Sequence, residues 1–304
     1  MAETTPKQLS LIDTSVEIEK VDAYDADQVG YTARALVQAT MPHSKPDSNT
    51  FSRVNGDYHL TMVANPKFGL PYGPKPRLVM AYVGREVVQK KSQYVEMGDS
   101  MTGFMKKLGM SVSGGKRGTI GPFKQQINSL FSCMISCSYL NSQSKGQSRA
   151  GTRIESRLIA DKVDLWWDEN TEDLDVGEMQ FWNAHVKLSD QLFEEMLTYP
   201  IPLDLRALRV LKGSAFALDI YSWLTHRFHS VDKDVEIPWH NLQLQFGAKF
   251  EATPDGTRDF KKNFIKHLQN VRTIYPDAKL LCESECLILK KSPTHVKQVT
   301  RMAR

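Results

Sequence analysis

Two groups of cationic and amide side chains carry the chemistry this chain offers. Lys116, Arg117, Lys124, Gln125 and Asn128 lie within Asp99–Phe131, and Arg258, Lys261, Lys262, Asn263 and Lys266 lie within Trp239–Val271. Lysine and arginine place a protein on phosphate, whereas arginine, glutamine and asparagine match the donors and acceptors of base edges. On that basis Gln125, Asn128, Arg258 and Asn263 are candidates for reading bases. Lys116, Arg117, Lys124, Arg149, Lys261, Lys262 and Lys266 are candidates for phosphate. Thr119, at the head of a helix, and Lys145 and Arg153, in the hairpin after it, complete the set. Any one of these lysines reads equally well as a solvated surface charge. Only their grouping on two matching elements gives them weight.

The elements that position them follow from hydrophobic period. Met101, Phe104, Met105 and Leu108 give a short amphipathic helix that stops at Gly109. A glycine-rich turn carries Lys116 and Arg117, and a second helix opens at Thr119 with Ile120, Phe123, Ile127, Leu130 and Phe131 on one face. Helix, turn and helix with cations and amides on the open face is the plan of a DNA-reading helix-turn-helix. The plan recurs at a constant offset of 138 positions, from Gly109 to Gly247 and from Gly118 to Gly256. At that offset Thr119 meets Thr257, Lys124 meets Lys262, Ile127 meets Ile265, and Leu78, Met80 and Tyr82 meet Phe216, Leu218 and Ile220. This agreement in apolar phase and turn position is an internal duplication. The copies differ at Phe123, which meets Lys261, and at Gln126, which meets Phe264.

Composition sets the limits. The 304 residues are 41% hydrophobic and 24% charged, with a net charge of +4, which suits a soluble chain of about two domains. The mild overall charge hides an uneven distribution: the first thirty residues are acid-rich, whereas 106–157 and 249–272 are cation-rich. No apolar run approaches a membrane span and no signal sequence opens the chain, so a cytoplasmic protein is expected. Four cysteines, in two Cys-x3-Cys pairs, read as reduced thiols rather than as a disulfide framework or a metal site.

The predicted fold class is α+β, with tandem winged-helix domains behind an N-terminal extension. Residues 1–50 are expected to be a flexible acidic segment with a short helix over Asp27–Thr40. Residues 51–168 form the first winged-helix domain. Its strands are Met134–Leu140 and Arg153–Trp166, and the cationic tip between them, with Lys145 and Arg149, is its wing. The acid-rich stretch 169–178 reads as a linker, 179–292 as the second winged-helix domain, and 293–304 as a basic tail. Catalytic constellations are missing. Ser113-Gly-Gly-Lys116 lacks the leading glycine of a phosphate loop, which would fall at Met110, and His226-x-x-His229 matches no metal-binding motif. Neither enzyme activity, a cofactor nor a metal is expected.

Several segments are distinctive as they stand: GYTARALVQATMPHSKP (30–46), NGDYHLTMVANPKFGLPYGPKPRLVMAYV (55–83), GDSMTGFMKKLG (98–109), LIADKVDLWW (158–167), PLDLRALRVLKGSAFALDIYSWLTHR (202–227) and the W-x-x-L-x-x-QFG run at 239–247. Together they resemble the RepA-type plasmid replication initiators of bacteria, over about residues 30–292. The resemblance implies a plasmid-encoded protein that binds repeated sites (iterons) in double-stranded origin DNA. It also implies opening of the adjacent duplex, recruitment of the host initiator and replicative helicase, and no nuclease or ATPase chemistry of its own. Two other readings stay open at this point. One is a transcriptional repressor built from the same modules, acting on its own gene. The other is an interaction module using 27–40 as a partner helix, a segment that fits self-association as well as docking on its own body.

Overall fold

The chain folds around two long helices locked together by a buried ion pair. The computed structural model describes residues 5–141, 151–167, 182–247 and 249–297. In chain order, α1 (Pro6–Lys20) is followed by β1 (Val29–Thr32), α2 (Arg34–Gln38), β2 (Thr50–Asn55) and β3 (Tyr58–Val63). Next come α3 (Pro74–Lys90), β4 (Tyr94–Glu96), α4 (Met101–Lys107), α5 (Ile120–Phe131), β5 (Met134–Asn141), β6 (Gly151–Leu158), β7 (Ala160–Trp167) and β8 (Trp182–Leu188). Then α6 (Asp190–Thr198), β9 (Ile201–Asp204) and α7 (Leu205–Leu211) lead into α8 (Ala215–Phe228). The chain continues through β10 (Val235–Pro238), α9 (Trp239–Phe246), α10 (Pro254–Ile274), β11 (Leu280–Cys282) and β12 (Cys286–Leu289). The class is α+β.

The duplication seen in sequence is a duplication of topology. One unit runs α3, β4, α4, α5, β7, β8, with sheet order β4-β8-β7. The other runs α8, β10, α9, α10, β11, β12, with sheet order β10-β12-β11. Both therefore read helix, strand, helix, helix, strand, strand, with the third strand in the middle of its sheet. The first unit carries an insertion: β5 and β6 leave it to join β2 and β3 in a four-stranded antiparallel sheet ordered β2-β3-β5-β6.

That insertion corrects several expectations. The cationic hairpin is β5–β6, not the counterpart of β11–β12, because β3 offers β5 a full antiparallel edge from Tyr58↔Tyr139 to Val63↔Met134. The strand pair in the corresponding position is β7–β8. The stretch 153–166, expected as one strand, breaks at buried Ile159, whose amide donates to the Cys133 carbonyl and whose carbonyl accepts from Ser189. The acidic stretch 169–178 lies outside the described residues. The chain on its two sides belongs to one sheet, β8 pairing with both β7 and β4, so the boundary expected there does not fall between separate sheets.

The N-terminal region also differs from expectation. Thr5 and Gln8 form a reciprocal capping box that starts α1, so the acid-rich segment is helical from Pro6. Leu11 is buried, and Arg206 donates to the carbonyls of Glu17 and Val21, which fastens α1 to the body. In place of one helix over 27–40 stand β1, paired antiparallel with β9, and the short α2. A strand covered on both faces shows an apolar run without alternation, which reads like a buried helix. Ser100 caps α4, its hydroxyl accepting from the Gly103 amide. The start of the basic tail is docked: His295 bonds Tyr221 and the Ile274 carbonyl, and Val296 is buried.

One continuous core runs through both units. At its centre Arg77 of α3 meets Asp219 of α8 with Nε–Oδ1 and Nη2–Oδ2 distances of 2.6 Å. The remaining guanidinium donors go to the carbonyls of Met41, Pro42 and Gly73, and His43 Nε2 lies 2.8 Å from Asp219 Oδ2. Burial alone would push the Asp219 carboxyl up, but the Arg77 charge and the hydrogen bonds from His43 and Arg77 prevail and hold it below the usual range. Close by, Gly84 lets α3 lie directly on β1, since a Cβ there would collide with the Tyr31 carbonyl.

Replacing Arg77 with alanine strands a buried carboxylate and is expected to cost about 3–5 kcal/mol in a urea titration. The Asp219 contribution, coming from a depressed folded-state pKa, is present above the unfolded carboxyl value near ~4 and is lost as pH falls through the folded value. An Asp219→Asn chain should therefore show a shallower loss of stability on acidification than the parent.

Candidate nucleic-acid interface

The helices α5 and α10 are positioned by the same device in both units. Ahead of α5, the Ser113–Thr119 turn is closed by hydrogen bonds from the Thr119 amide to Ser113 O (3.0 Å) and from the Ser113 amide to Thr119 Oγ1 (3.0 Å). Gly115 takes a φ of 76°, and a Cβ on Gly118 would run into the Ser113 carbonyl. Ahead of α10, a Cβ on Gly256 would run into the Glu251 carbonyl. Ser113 and Glu251 are themselves related by the 138-residue offset. The two turns thus meet their helices by the same glycine-on-carbonyl contact. Thr253 then caps α10, accepting from the Gly256 amide at 3.1 Å.

Each helix buries one stripe and leaves another open. In α5 the buried side holds Ile120, Phe123, Ile127, Leu130 and Phe131. Gln126 and Ser129 are buried too, the first accepting from the Tyr72 amide and the second donating to the Phe68 carbonyl. Gln125 is exposed, Lys124 and Asn128 are half-buried, and Lys116 and Arg117 stand exposed on the turn. In α10 the buried stripe is Phe260, Phe264, Leu268, Val271 and Ile274, set in an aromatic cluster with Phe216, Trp223, Trp239 and Phe246. Opposite it, Arg258, Lys262 and Lys266 are exposed at i, i+4 and i+8, a single cationic row.

The structure divides the sequence candidates. Thr119 is spent on its turn, its hydroxyl donating to the Ser111 carbonyl at 2.8 Å, so it positions α5. Lys261 is also committed: its ammonium donates to the carbonyls of Glu283 (2.8 Å) and Ser284 (2.9 Å) and lies 5.3 Å from the Trp239 ring. It pins α10 to the β11–β12 turn and does not join the row of Lys262 and Lys266. Asn263 points another way, into a cavity of about 330 Å³ that it shares with His43, Lys249 and His267. Arg258 makes an exposed ion pair with Asp255 at 3.2 Å, and Arg153 pairs with Glu155 on the outer strand β6. Lys145 and Arg149 lie outside the described residues. Gln269 and Arg272, both exposed, extend the row along α10 at steps of three, a continuation that sequence reasoning passed over. No helix among the described residues is long and apolar enough to cross a membrane.

With this geometry in hand, comparison places the fold. A crystal structure of domains 2–3 of RctB is similar over 84% of this chain and 96% of that chain, at a TM-score of 0.51 and 12% identity. A selenomethionine form of domains 2 and 3 of RctB matches 84% of this chain and 97% of that one, at a TM-score of 0.53 and 11% identity. The family model for the plasmid-encoded RepA protein matches residues 70–240, more than half of the chain, and the chain belongs to that family. No curated protein sequence matches it.

Lys261→Ala and Lys262→Ala, one residue apart, should separate on heating. Loss of Lys261 is expected to cost about 1 kcal/mol or more, since it breaks charge-assisted bonds to two carbonyls. Loss of exposed Lys262 should stay within about 0.5 kcal/mol of the parent.

Proposed function

We propose that this protein is a sequence-specific double-stranded DNA-binding plasmid replication initiator, built from two winged-helix units, that binds origin repeats. The reading is supported most by one observation: the exposed row Arg258, Lys262 and Lys266 on α10, on a helix seated by the same glycine-on-carbonyl turn as α5. Membership in the plasmid-encoded RepA family points the same way. The helix–strand–helix–helix–strand–strand order, with the last strand central, is the order of a winged helix, with α5 and α10 as recognition helices. In this reading Lys262 and Lys266 hold phosphate, together with Lys116 and Arg117 from the first unit. Gln125 reads a base edge. Opening of the origin and recruitment of host initiator and replicative helicase follow binding. The protein contributes grip and deformation rather than catalysis.

The tip sequences refine the picture. Glu283 and Glu285 in the β11–β12 turn put negative charge at the wing position of the second unit. These repel phosphate, so contact runs through the helices.

Removing Lys262 and Lys266 should weaken binding to every duplex and lower the log–log salt slope by about one unit per lost contact. An unchanged slope would remove α10 from the interface. Gln125→Ala should instead relax base choice at one position and spare non-specific binding. A footprint on DNA from the same replicon, followed by an origin-opening assay with host factors, separates an initiator from a repressor that merely occupies the site.

A further inference from the structure

A large cavity lies away from α5 and α10. It measures about 770 Å³ and is walled by the segment before β1, by α2, by the α6–β9 junction and by the end of α8. Its chemistry is one-sided. Arg34, Arg227, His226 and His229 line it, with Tyr24, Tyr31 and Tyr199, yet no aspartate or glutamate among the described residues does. Elsewhere Arg77 is matched by Asp219, Arg157 by Glu195 and Arg206 by Asp204, whereas buried Arg53 bonds the Phe246 carbonyl. Arg227 has no such match among the described residues. Its Nε is buried without a hydrogen-bond partner, and burial alone draws its guanidinium down. His226 is pulled down to about 4, by burial first and then by the charges of Arg34, Arg227 and His229. Arg227, half-buried with an unpartnered Nε in a concave site of this size, gains an acceptor when something anionic enters.

We propose that this cavity binds a phosphoryl-bearing small molecule, with Arg34 and Arg227 holding the phosphoryl oxygens and the tyrosines offering a ring surface. Two guanidinium groups present more donors than the two oxygens of one carboxylate can accept, whereas a phosphoryl group has three terminal oxygens. The volume exceeds what a bare phosphate fills, and Tyr199, 61% exposed at the rim, leaves a ring face free for stacking. The inference does not depend on the DNA-binding reading, because none of the lining residues belongs to α5 or α10.

The test titrates the full chain in a calorimeter with inorganic phosphate, adenosine monophosphate and adenosine triphosphate, and reads thermal stabilisation alongside. Saturable binding of at least one of the three is expected, weakened about tenfold or more by Arg34→Ala and by Arg227→Ala. Equal affinity for all three would identify free phosphate as the source, and tighter binding of the nucleotides a nucleoside phosphate. Arg34 is exposed, so its variant keeps the fold and keeps the test decisive if Arg227→Ala is unstable. Duplex DNA binding by Arg34→Ala should match the parent. Absence of binding at millimolar concentrations of all three overturns the proposal, as does binding that both variants leave unchanged. It is overturned as well if Arg34→Ala loses only single-stranded oligonucleotide binding, since the cavity would then serve a polymer.

Discussion

The bidentate pair between Arg77 and Asp219 is the constraint on which the architecture turns. It joins α3 to α8, the first helix of each repeated unit, inside a core that excludes water. Such a pair adds little net energy compared with apolar packing, because both charges give up their hydration. Its effect is on geometry. A guanidinium that must satisfy a carboxylate and three backbone carbonyls at once accepts one relative placement of the two helices, and the backbone at Met41, Pro42 and Gly73, on either side of β2 and β3, is drawn into the same knot. The helices α5 and α10 pack on α3 and α8, so whatever spacing they present to a ligand is inherited from this junction.

The repeat is preserved in the turns that seat α5 and α10 and altered at packed positions on the helices themselves. Gly118 and Gly256 both press on a carbonyl of the preceding turn, and Thr119 and Thr257 both hydrogen-bond within their turn or against the neighbouring helix. By contrast, Phe123 is a core residue of α5, whereas Lys261, its counterpart, reaches the β11–β12 turn. Matched seating therefore tolerates different packing partners behind the two helices.

Legibility in the sequence followed the range of the interactions involved. Helices with one apolar stripe and a local cap, such as α6 with Ser189, α8 with Ser214 and the long α10, could be placed from period and capping alone. The 138-residue repeat was visible for the same reason. What escaped was decided by distant partners. β1 is a strand because β9 lies beside it, and β5–β6 sits in the outer sheet because β3 gives it an edge. The site shows the same division. Lys261 and Lys262 are identical in kind and adjacent in sequence, but a turn of about 100° per residue sends one to the hairpin carbonyls and the other to solvent. The carboxylate-free cavity was invisible, since its arginines and histidines come from segments nearly two hundred positions apart and only folding brings them together.

The hairpin inserted between α5 and β7 bears on how the polypeptide is made. β4 ends at Glu96 and cannot be closed into its sheet until Trp182–Leu188 has been synthesised, and Val29–Thr32 waits longer still for Ile201–Asp204. The second unit needs nothing comparable, its three strands falling within Val235–Leu289. A chain leaving the ribosome therefore exposes unpaired strand edges at its front while its middle is still being translated, and order of birth diverges from order of completion.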